Sequence, residues 1–243
     1  MDGLLQSLQS TGVGCFIGNI YTGILAYADD IVLLAPTANA VRKMLRVCED
    51  YAAAYSVKFN AYKSYCIVCE PRFKSKACIP SNVSLNINGC FIKVVDNVTH
   101  LGHVISRDSD DSLDMTCRDK LIGHIYNLLC TFYQLVSVVK TQLIKTYCLS
   151  LHGSELWDMK NPNVENISKA WRSGLKRVCC LPRSCRSIIL CIISDTMPLL
   201  DLINKRSVMF VRCCLQSESV LVKSVANYYV FHGRMLSGLG RNI

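Results

Sequence analysis

The sequence lacks several features that would assign it to a protein class directly. It has no run of about 18 uninterrupted apolar residues, so no membrane-spanning helix is predicted. No cleavable signal peptide is visible at its start, and we therefore expect an intracellular, reducing location in the nucleus or the cytoplasm. His100, His103 and His124 form no visible constellation with a nucleophile, so a hydrolase triad is not supported. There is also no internal repeat and no low-complexity tract.

A complete zinc-binding pattern is missing as well, although the chain has fifteen cysteines. Cys66 and Cys69, with Cys78 nearby, come nearest to a zinc half-site, but no second pair follows at finger-like spacing. Cys66 lies in a strand-like apolar run, and free cysteine is commonly a small buried hydrophobe. We therefore interpret the cysteines mainly as free thiols in a reducing compartment.

Length and composition indicate a folded protein. With 51% apolar and 19% charged residues, a chain of 243 residues suffices for one large domain or two small ones. The net charge of +9 is uneven, because the first 50 residues hold three basic and five acidic side chains and the others hold 24 basic and 13 acidic. A weakly acidic stretch followed by a basic body suits a protein that grips a phosphate backbone, although many intracellular proteins share a charge this modest.

Hydrophobic periodicity predicts a mixture of strands and helices before about residue 107 and helices alone after it. The long helix of the first part can be capped by Thr37 or Asn39. Its predicted buried face consists of Val41, Met44, Leu45, Cys48 and Ala52. The predicted elements of this part are a helix at 2–10, strands at 14–17, 23–27 and 30–35, a helix ending near 55, strands at roughly 65–70 and 91–95, and a hairpin at 98–105.

The later helices begin where four aspartates crowd together and offset a helix dipole, namely Asp108, Asp110, Asp111 and Asp114. The apolar stripe predicted for this helix is Leu121, Ile125, Leu128, Leu129 and Phe132. A second helix at about 138–151 is predicted to bury Val139, Leu143, Tyr147 and Leu151. A third helix at about 164–179 precedes short helices that Pro182 and Pro198 interrupt and that end near Tyr229.

Two adjacent acids interrupt an apolar run between Ile24 and Ala35, in the sequence Tyr27-Ala28-Asp29-Asp30. An ionised acid is costly to bury unless it is paired or binds a metal. A tight turn would bring both carboxylates out together, whereas an extended strand would send them to opposite faces. Oxygen ligands on a turn suit Mg²⁺ or Mn²⁺, and two such ions about 4 Å apart are used for nucleotide polymerisation. The alternative is a polar hairpin turn whose acids are merely solvated.

This motif, followed by Ile31-Val32-Leu33-Leu34-Ala35, resembles the palm motif of reverse transcriptases of non-LTR (LINE-type) retrotransposons. Four further elements of the family pattern have similar segments here, in the same order along the chain. They are Gly12–Gly18 as the preceding strand, Cys48–Tyr51 with Phe59–Ser64 as the following helix and Asn-x-x-Lys-Ser element, Thr99–Ile105 as the Leu-Gly turn of the primer grip, and Gly153–Trp157 as the segment that closes the thumb. The resemblance spans residues 12–157 and weakens after about residue 180.

The resemblance implies an α+β fold that combines a partial polymerase palm with an all-helical thumb and a C-terminal helical region. The palm part is an antiparallel hairpin sheet with a helix. The implied boundaries are 1–106 for the partial palm, 107–157 for the thumb helices and 158–243 for the C-terminal region.

The resemblance also implies roles for individual residues. Asp29 would ligate the metal directly and Asp30 would support it, while Tyr27 would lie beneath the primer end. Lys63 would act near the phosphates of the incoming nucleotide, where a cation stabilises the leaving pyrophosphate. An ordinary surface lysine is an equally good interpretation of Lys63.

Two further groups of residues have an implied or possible role in binding nucleic acid. Leu101 and Gly102 would position the primer strand through their backbone, and the alternative is a plain hairpin turn. The strongest basic run consists of Arg172, Lys176, Arg177, Arg183 and Arg186, and Trp171 between them could stack on a base. We favour the alternative that this run is the solvated face of an amphipathic helix with Trp171 in the core.

One part of the family pattern is missing from this sequence. The family palm has another metal-binding aspartate on an earlier strand, and half a metal site cannot hold two cations. We therefore expect the C-terminal part of an RNA-directed DNA polymerase that is inactive alone and binds Mg²⁺ (or Mn²⁺) only in a complete palm. Its partners would be an RNA template, a DNA primer and deoxynucleoside triphosphates, without a membrane. The alternatives are a non-catalytic nucleic-acid-binding remnant and a degenerate fragment with no function.

Overall fold

A computed structural model describes residues 2–69, 83–147 and 151–232 of the chain. The fold class is α+β, as predicted. The described helices are α1 (Asp2–Ser10), α2 (Ala38–Tyr55), α3 (Ser112–Thr131), α4 (Ser137–Tyr147), α5 (Pro162–Val178), α6 (Ser187–Ile193), α7 (Leu199–Leu215) and α8 (Val220–His232). The described strands are β1 (Phe16–Ile17), β2 (Ile20–Tyr21), β3 (Ile24–Tyr27), β4 (Asp30–Leu33), β5 (Tyr65–Cys66), β6 (Asn86–Ile87), β7 (Cys90–Phe91), β8 (Lys93–Val94), β9 (Asn97–His100) and β10 (His103–Ser106).

The chain divides into two compact units. The first unit comprises the residues up to Val98 together with Ser106–Asp108 and Glu218–Val225. The second unit comprises Thr99–Ile105, Ser109–Ser217 and the residues from Ala226 onward. The three-part division expected from the sequence remains a prediction.

The described strands pair two by two instead of forming one sheet. Hairpins join β1 with β2, β3 with β4, β6 with β7 and β9 with β10, whereas β5 pairs with β8 in parallel. The strands predicted at 65–70 and 91–95 are shorter than expected or split in two, and β2 and β6 were not predicted. Two-residue strands have too little alternation to give a clear sequence signal.

The first unit is built on α2, which confirms the predicted capped helix. Thr37 is the N-cap, and its hydroxyl oxygen accepts a hydrogen bond from the Ala40 amide at 3.2 Å. Four of the five residues predicted on the apolar face are buried, and Val41 is half-buried. The helix contributes to two small cores. The first contains Leu4, Leu8, Met44 and Cys48, and the second contains Leu45, Ala61, Leu85 and Ile87.

The second unit has one larger core, to which α3 to α7 all contribute. Its buried residues are Met115, Ile125, Ile144, Leu151, Trp157, Val164, Ile167, Trp171, Leu175, Val178, Leu190, Leu199 and Ile203. Gly174 allows a close approach of α5 to α3, because an added Cβ would lie 2.8 Å from the Cδ1 of Ile125.

The face predicted for the helix at about 138–151, observed as α4, is partly wrong. Leu151 is buried, as predicted, and Leu143 is half-buried. Val139 and Tyr147 are exposed, whereas Thr141 and Ile144 are buried. The threonine can be buried because its hydroxyl donates to the Ser137 carbonyl at 2.9 Å within the helix, so no polar group is left unsatisfied. The pair at i and i+3 therefore forms the core-facing side.

The stripe predicted for α3 is correct at Ile125, which is fully buried, and at Leu129, which packs against the core. It is wrong at Phe132, which is 43% exposed and follows the last residue of the helix. The side chains of Leu121 and Leu128 lie outside those that the structure describes.

Two general expectations from the sequence can be compared with the described ranges. No described helix is both long and apolar enough to cross a bilayer. The cysteines whose side chains are described are free thiols, including Cys66 and Cys69. Cys78 lies outside the described residues.

Candidate functional site

The motif Tyr27-Ala28-Asp29-Asp30 forms the tight turn that the sequence predicts. The strands β3 and β4 pair antiparallel from Ile24 opposite Leu33 to Tyr27 opposite Asp30, which leaves Ala28 and Asp29 at the tip. Ala28 has φ +53°, in the left-handed region that tight hairpin turns require. Both carboxylates are exposed, and the turn therefore presents them to solvent on one hairpin.

Backbone hydrogen bonds and close packing support this hairpin at its base. The Cys15 amide donates to the Leu34 carbonyl at 3.0 Å, so the β1 segment lies beside β4. The Tyr21 ring packs so closely on Gly23 that an added Cβ would lie 2.6 Å from it, and its hydroxyl donates to the Val13 carbonyl at 2.9 Å. Gly14 of the glycine-rich segment before the motif also makes room for this ring, because an added Cβ there would lie 2.8 Å from the Cε2 atom of Tyr21.

The two carboxylates are only part of a donor set for metal ions. A two-metal site holds its ions between several carboxylates and the substrate. In the described ranges, no group of three or more His, Cys, Asp and Glu side chains gathers where it could hold a metal ion. The described residues therefore do not by themselves fit a two-metal centre.

Lys63 lies in the same unit, at the end of a short 3-10 turn (Ala61–Lys63). Asn60 caps this turn, because its side-chain oxygen accepts from the amides of Tyr62 at 3.1 Å and Lys63 at 3.3 Å. The Ser64 hydroxyl donates to the Asn60 carbonyl at 2.9 Å, and Ala61 is buried in a core. The asparagine and serine of this element thus shape the backbone and leave the lysine side chain exposed.

The predicted primer-positioning residues form a turn between β9 and β10 that belongs to the second unit. Leu101 has φ +49° and Gly102 has φ +77°, so both lie in the left-handed region. The Leu101 carbonyl accepts from the Nε2 atom of His152 at 3.1 Å, and the Gly102 carbonyl accepts from the Nη2 atom of Arg118 at 2.5 Å. Two side chains distant in sequence therefore bind this turn through its backbone.

Next to this turn lies a buried ionic cluster centred on Asp114, whose side chain is 1% exposed. The Trp157 indole donates to its Oδ2 atom at 2.9 Å, and the Val104 amide donates to its Oδ1 atom at 3.1 Å. Arg118 Nη2 lies 3.5 Å from Oδ1. His103 Nδ1 lies 3.3 Å from Oδ2 but off the direction of a hydrogen bond, so the two groups form an ion pair when the ring is protonated.

The cluster shifts the pKa values of its members. Burial alone would raise the pKa of Asp114, but the His103 ring, the Trp157 indole and the Val104 amide lower it from 3.8 to about 2. The Asp114 carboxylate raises the pKa of His103 against the opposing effect of burial. Burial also raises the pKa of the neighbouring Asp111, which accepts a hydrogen bond from the Asp158 amide at 3.2 Å. Asp114 is therefore held as a carboxylate beside a histidine that favours its charged form.

The segment Gly153–Trp157 packs directly on this cluster. Gly153 has φ +84°, and a Cβ added there would lie 2.5 Å from the Nδ1 atom of His103. Only glycine fits this position without displacing the ring. The two segments that resemble the primer grip and the end of the thumb are thus in contact, and Asp114 joins them.

The basic run on α5 makes several contacts within the chain. Arg172 pairs with Glu165 at 2.7 Å and donates to the Ser168 hydroxyl at 3.0 Å. Lys176 donates to the Arg183 carbonyl at 2.6 Å, and Arg177 is exposed. Trp171 is 2% exposed and lies in the core, which confirms the interpretation that this helix is amphipathic.

Comparison with known proteins gives one informative match. No protein-family model matches the chain, and no solved structure matches it. The chain is 33% identical over 79 residues to the retrovirus-related Pol polyprotein from the type-2 retrotransposable element R2DM of Drosophila melanogaster. The aligned part is 32% of this chain and 7% of that polyprotein. The match supports a retrotransposon-related origin.

The sequence alone did not indicate the residues that hold the turn and the ionic cluster of the second unit. It assigned Asp114 to the helix dipole, and it singled out neither Arg118 nor His152. The spacing of Asp114 and Arg118 at i and i+4 is a usable local signal for their ion pair. His152 binds a carbonyl 51 residues earlier in the chain, and no local pattern indicates such a contact.

Proposed function

We propose that this chain is a fragment of a retrotransposon reverse transcriptase, comprising the end of the palm, the thumb and the segment after it. The observation that supports this most is the exposed pair of Asp29, at the tip of a tight hairpin, and Asp30, the first residue of its second strand. The identity to a retrotransposon Pol polyprotein supports the same origin. In this proposal the complete enzyme copies RNA with a DNA primer and deoxynucleoside triphosphates inside the cell.

Asp29 and Asp30 would contribute two carboxylates to a metal site that needs at least one more carboxylate from outside the described residues. In a complete palm, Mg²⁺ or Mn²⁺ there would supply electrostatic stabilisation for phosphoryl transfer. Tyr27 and the Leu101–Gly102 turn would support the primer, and the exposed Lys63 would face the phosphates of the nucleotide.

Primer extension on an RNA template tests this function. We expect little or no extension by the chain alone in Mg²⁺ or Mn²⁺, and extension when the palm and fingers of a related retrotransposon polymerase are joined before it. In that complemented enzyme, Asp29→Asn should lower the extension rate by ~100-fold or more. Asp50→Asn is the matched control, because Asp50 is an exposed acid on α2 of the same unit.

Two results would contradict the proposal. Extension by the complemented enzyme that is unchanged in Asp29→Asn would remove the metal-binding role of the motif. Robust extension by the chain alone, abolished in Asp29→Ala, would show that its own residues complete the metal site.

A second candidate function is a non-catalytic remnant that binds nucleic acid through its basic surface. The observation in its favour is the set of exposed cationic residues on and after α5, namely Lys169, Arg177, Arg183 and Arg186. Affinity for a primer–template duplex should then fall steeply with salt, because cationic side chains release counterions from the phosphates.

Charge reversal of Lys169, Arg177 and Arg183 to glutamate tests this surface, because all three side chains are exposed. The matched control reverses Lys205, Arg212 and Lys223, which are exposed on α7 and α8 and give the same change in net charge. Selective weakening by the first set supports a binding surface on and after α5. If both sets weaken the affinity equally, the effect comes from net charge alone. If the affinity does not depend on ionic strength, binding through a basic surface is excluded.

A further inference from the structure

The turn of Leu101 and Gly102 is exposed, yet two side chains of the second unit bind its backbone. Leu101 is 46% exposed, and its carbonyl accepts from His152 in the segment that precedes the 3-10 turn Ser154–Leu156. A carbonyl oxygen only accepts hydrogen bonds, so the Nε2 atom of His152 must have its proton. Arg118 of α3 donates to the next carbonyl, that of Gly102. Two consecutive peptide planes are therefore held in position.

Arg118 is itself held in place by Asp114. Its Nη2 atom, which donates to Gly102, lies 3.5 Å from the Asp114 Oδ1 atom, which also accepts from the Val104 amide just after the turn. The Arg118 side chain is only 11% exposed. Its charge is therefore directed at the turn and at Asp114 and has little access to an external phosphate.

A bound polynucleotide would thus meet a turn whose backbone is already fixed. Two successive residues in the left-handed region are typical of a two-residue hairpin turn, but leucine rarely adopts this conformation, so contacts from outside the turn help to hold it. Fixing a contact surface before binding avoids part of the ordering entropy that association otherwise costs.

We infer that Arg118 and His152 are positioning residues that hold the Leu101–Gly102 turn for a primer strand, with Asp114 as the anchor of Arg118. This inference rests on the proposed function, because that function assigns the primer to the turn. The two residues act through the turn and do not themselves contact nucleic acid.

The test uses the full chain and a DNA primer annealed to an RNA template with a recessed 3′ end, followed by fluorescence anisotropy at several salt concentrations. Arg118→Gln and His152→Leu should each weaken binding by about tenfold, because each frees one carbonyl of the turn. His152→Gln keeps a nitrogen donor and should restore most of the affinity. His124→Leu is the matched control, since His124 is an exposed histidine on α3.

Salt dependence and a second probe separate positioning from other roles. Loss of a phosphate contact lowers the salt slope by about one, whereas loss of a positioning residue should leave the slope unchanged. A blunt duplex of equal length offers no recessed primer terminus, and its affinity should change less than twofold. Equal weakening on both duplexes, or a reduced slope, would overturn the positioning role.

Hydrogen exchange of the amides at 101–104 measures the turn without nucleic acid. Exchange should accelerate in Arg118→Gln and His152→Leu and remain unchanged in His124→Leu, because only the first two release the turn. If the unaltered chain binds and both variants bind equally well with unchanged exchange, the inference fails and the proposed function stands. If the unaltered chain does not bind the primer–template, the primer role that the proposed function gives to the turn fails, whereas the extension assay with the complemented enzyme still decides the proposed function itself.

Discussion

The two units differ in how they place their acidic side chains. The first unit presents two acids to solvent on a hairpin of four-residue strands, supported by two small cores. The second unit buries an acid, Asp114, beside a core of thirteen residues and uses it to join a turn to a helix. An isolated two-stranded hairpin is marginal in water, whereas a buried charge needs well-placed partners and hydrogen bonds from the surrounding core. The candidate chemistry therefore lies on the weaker support, and the candidate positioning turn on the stronger one.

The acids of the two units differ in the same way. Asp29 and Asp30 are exposed at a turn, where they remain available to a ligand. Asp110, Asp111 and Asp114 at the start of α3 instead accept hydrogen bonds from the segment 157–161. Acid clustering in a sequence thus has two outcomes, and the presence of donors from a distant segment distinguishes a structural link from a free ligand site.

The largest expected effect is the loss of Asp114. Asp114→Ala removes the partner of His103 and Arg118 and leaves the Trp157 indole unsatisfied, so the second unit should lose about 4 kcal/mol of unfolding free energy. Both tryptophans of the chain, Trp157 and Trp171, are buried in this unit. Tryptophan fluorescence in urea therefore measures it selectively.

Asp201→Ala is the control for this substitution. Asp201 is an exposed acid in the first turn of α7 and shares the helix-dipole contribution of Asp114 without its buried partners. Its loss should cost less than about 1 kcal/mol. Similar costs for both variants would show that the buried cluster adds nothing to the dipole effect.

The next largest effect is a difference in amide hydrogen exchange between the two units. We expect the amides of residues 14–35 to exchange at least about 100-fold faster than those of residues 115–147 in reduced protein, because the hairpins have few buried contacts. Labelling of Cys48 gives a second measurement, since this thiol is 3% exposed and burial raises its pKa to about 11. It should react at lower urea than the midpoint of tryptophan fluorescence. Stronger protection in 14–35 would reverse the comparison.

Acid should weaken the second unit by a smaller amount. Because the pKa of Asp114 is lowered to about 2, its stabilisation is complete above about pH 4 and is lost as the pH falls toward 2, at a cost of about 2 kcal/mol. Asp111 opposes this loss, because burial raises its pKa and its protonation favours the folded state. His103 contributes in the other direction, since its raised pKa stabilises the fold below about pH 6.5 and this contribution is lost as the pH rises through its folded value.

Urea midpoints between pH 2 and pH 9 would measure these contributions. Asp114→Asn should reduce the fall of the urea midpoint between about pH 4 and pH 2. His103→Gln should reduce the change of the urea midpoint above neutral pH. If the urea midpoint of Asp114→Asn falls with acid as steeply as that of the unaltered chain, other carboxylates cause the acid sensitivity.

The sequence predicts the local features of this molecule and misses the distant contacts. The cap at Thr37 and the turn at Ala28–Asp29 follow from residue type and spacing, and both are confirmed. The buried face of α4 does not, because Thr141 enters the core only when its hydroxyl bonds within the helix. The partner of Asp114, Trp157, is 43 residues away, and periodicity contains no information about such a pair.

The smallest expected effect tests how firmly the second unit holds the His103 ring. Gly153→Ala and Gly102→Ala both place alanine at a positive φ, which should cost about 1 kcal/mol each. At Gly102 the nearest atom would be 3.8 Å from the new Cβ, whereas at Gly153 it would be the Nδ1 atom of His103 at 2.5 Å. Because the ring is fixed beside the buried Asp114, overpacking should add about 1 kcal/mol to Gly153→Ala alone. Equal urea midpoints for the two variants, measured by tryptophan fluorescence, would mean that the ring moves aside freely and that the ionic cluster tolerates the displacement.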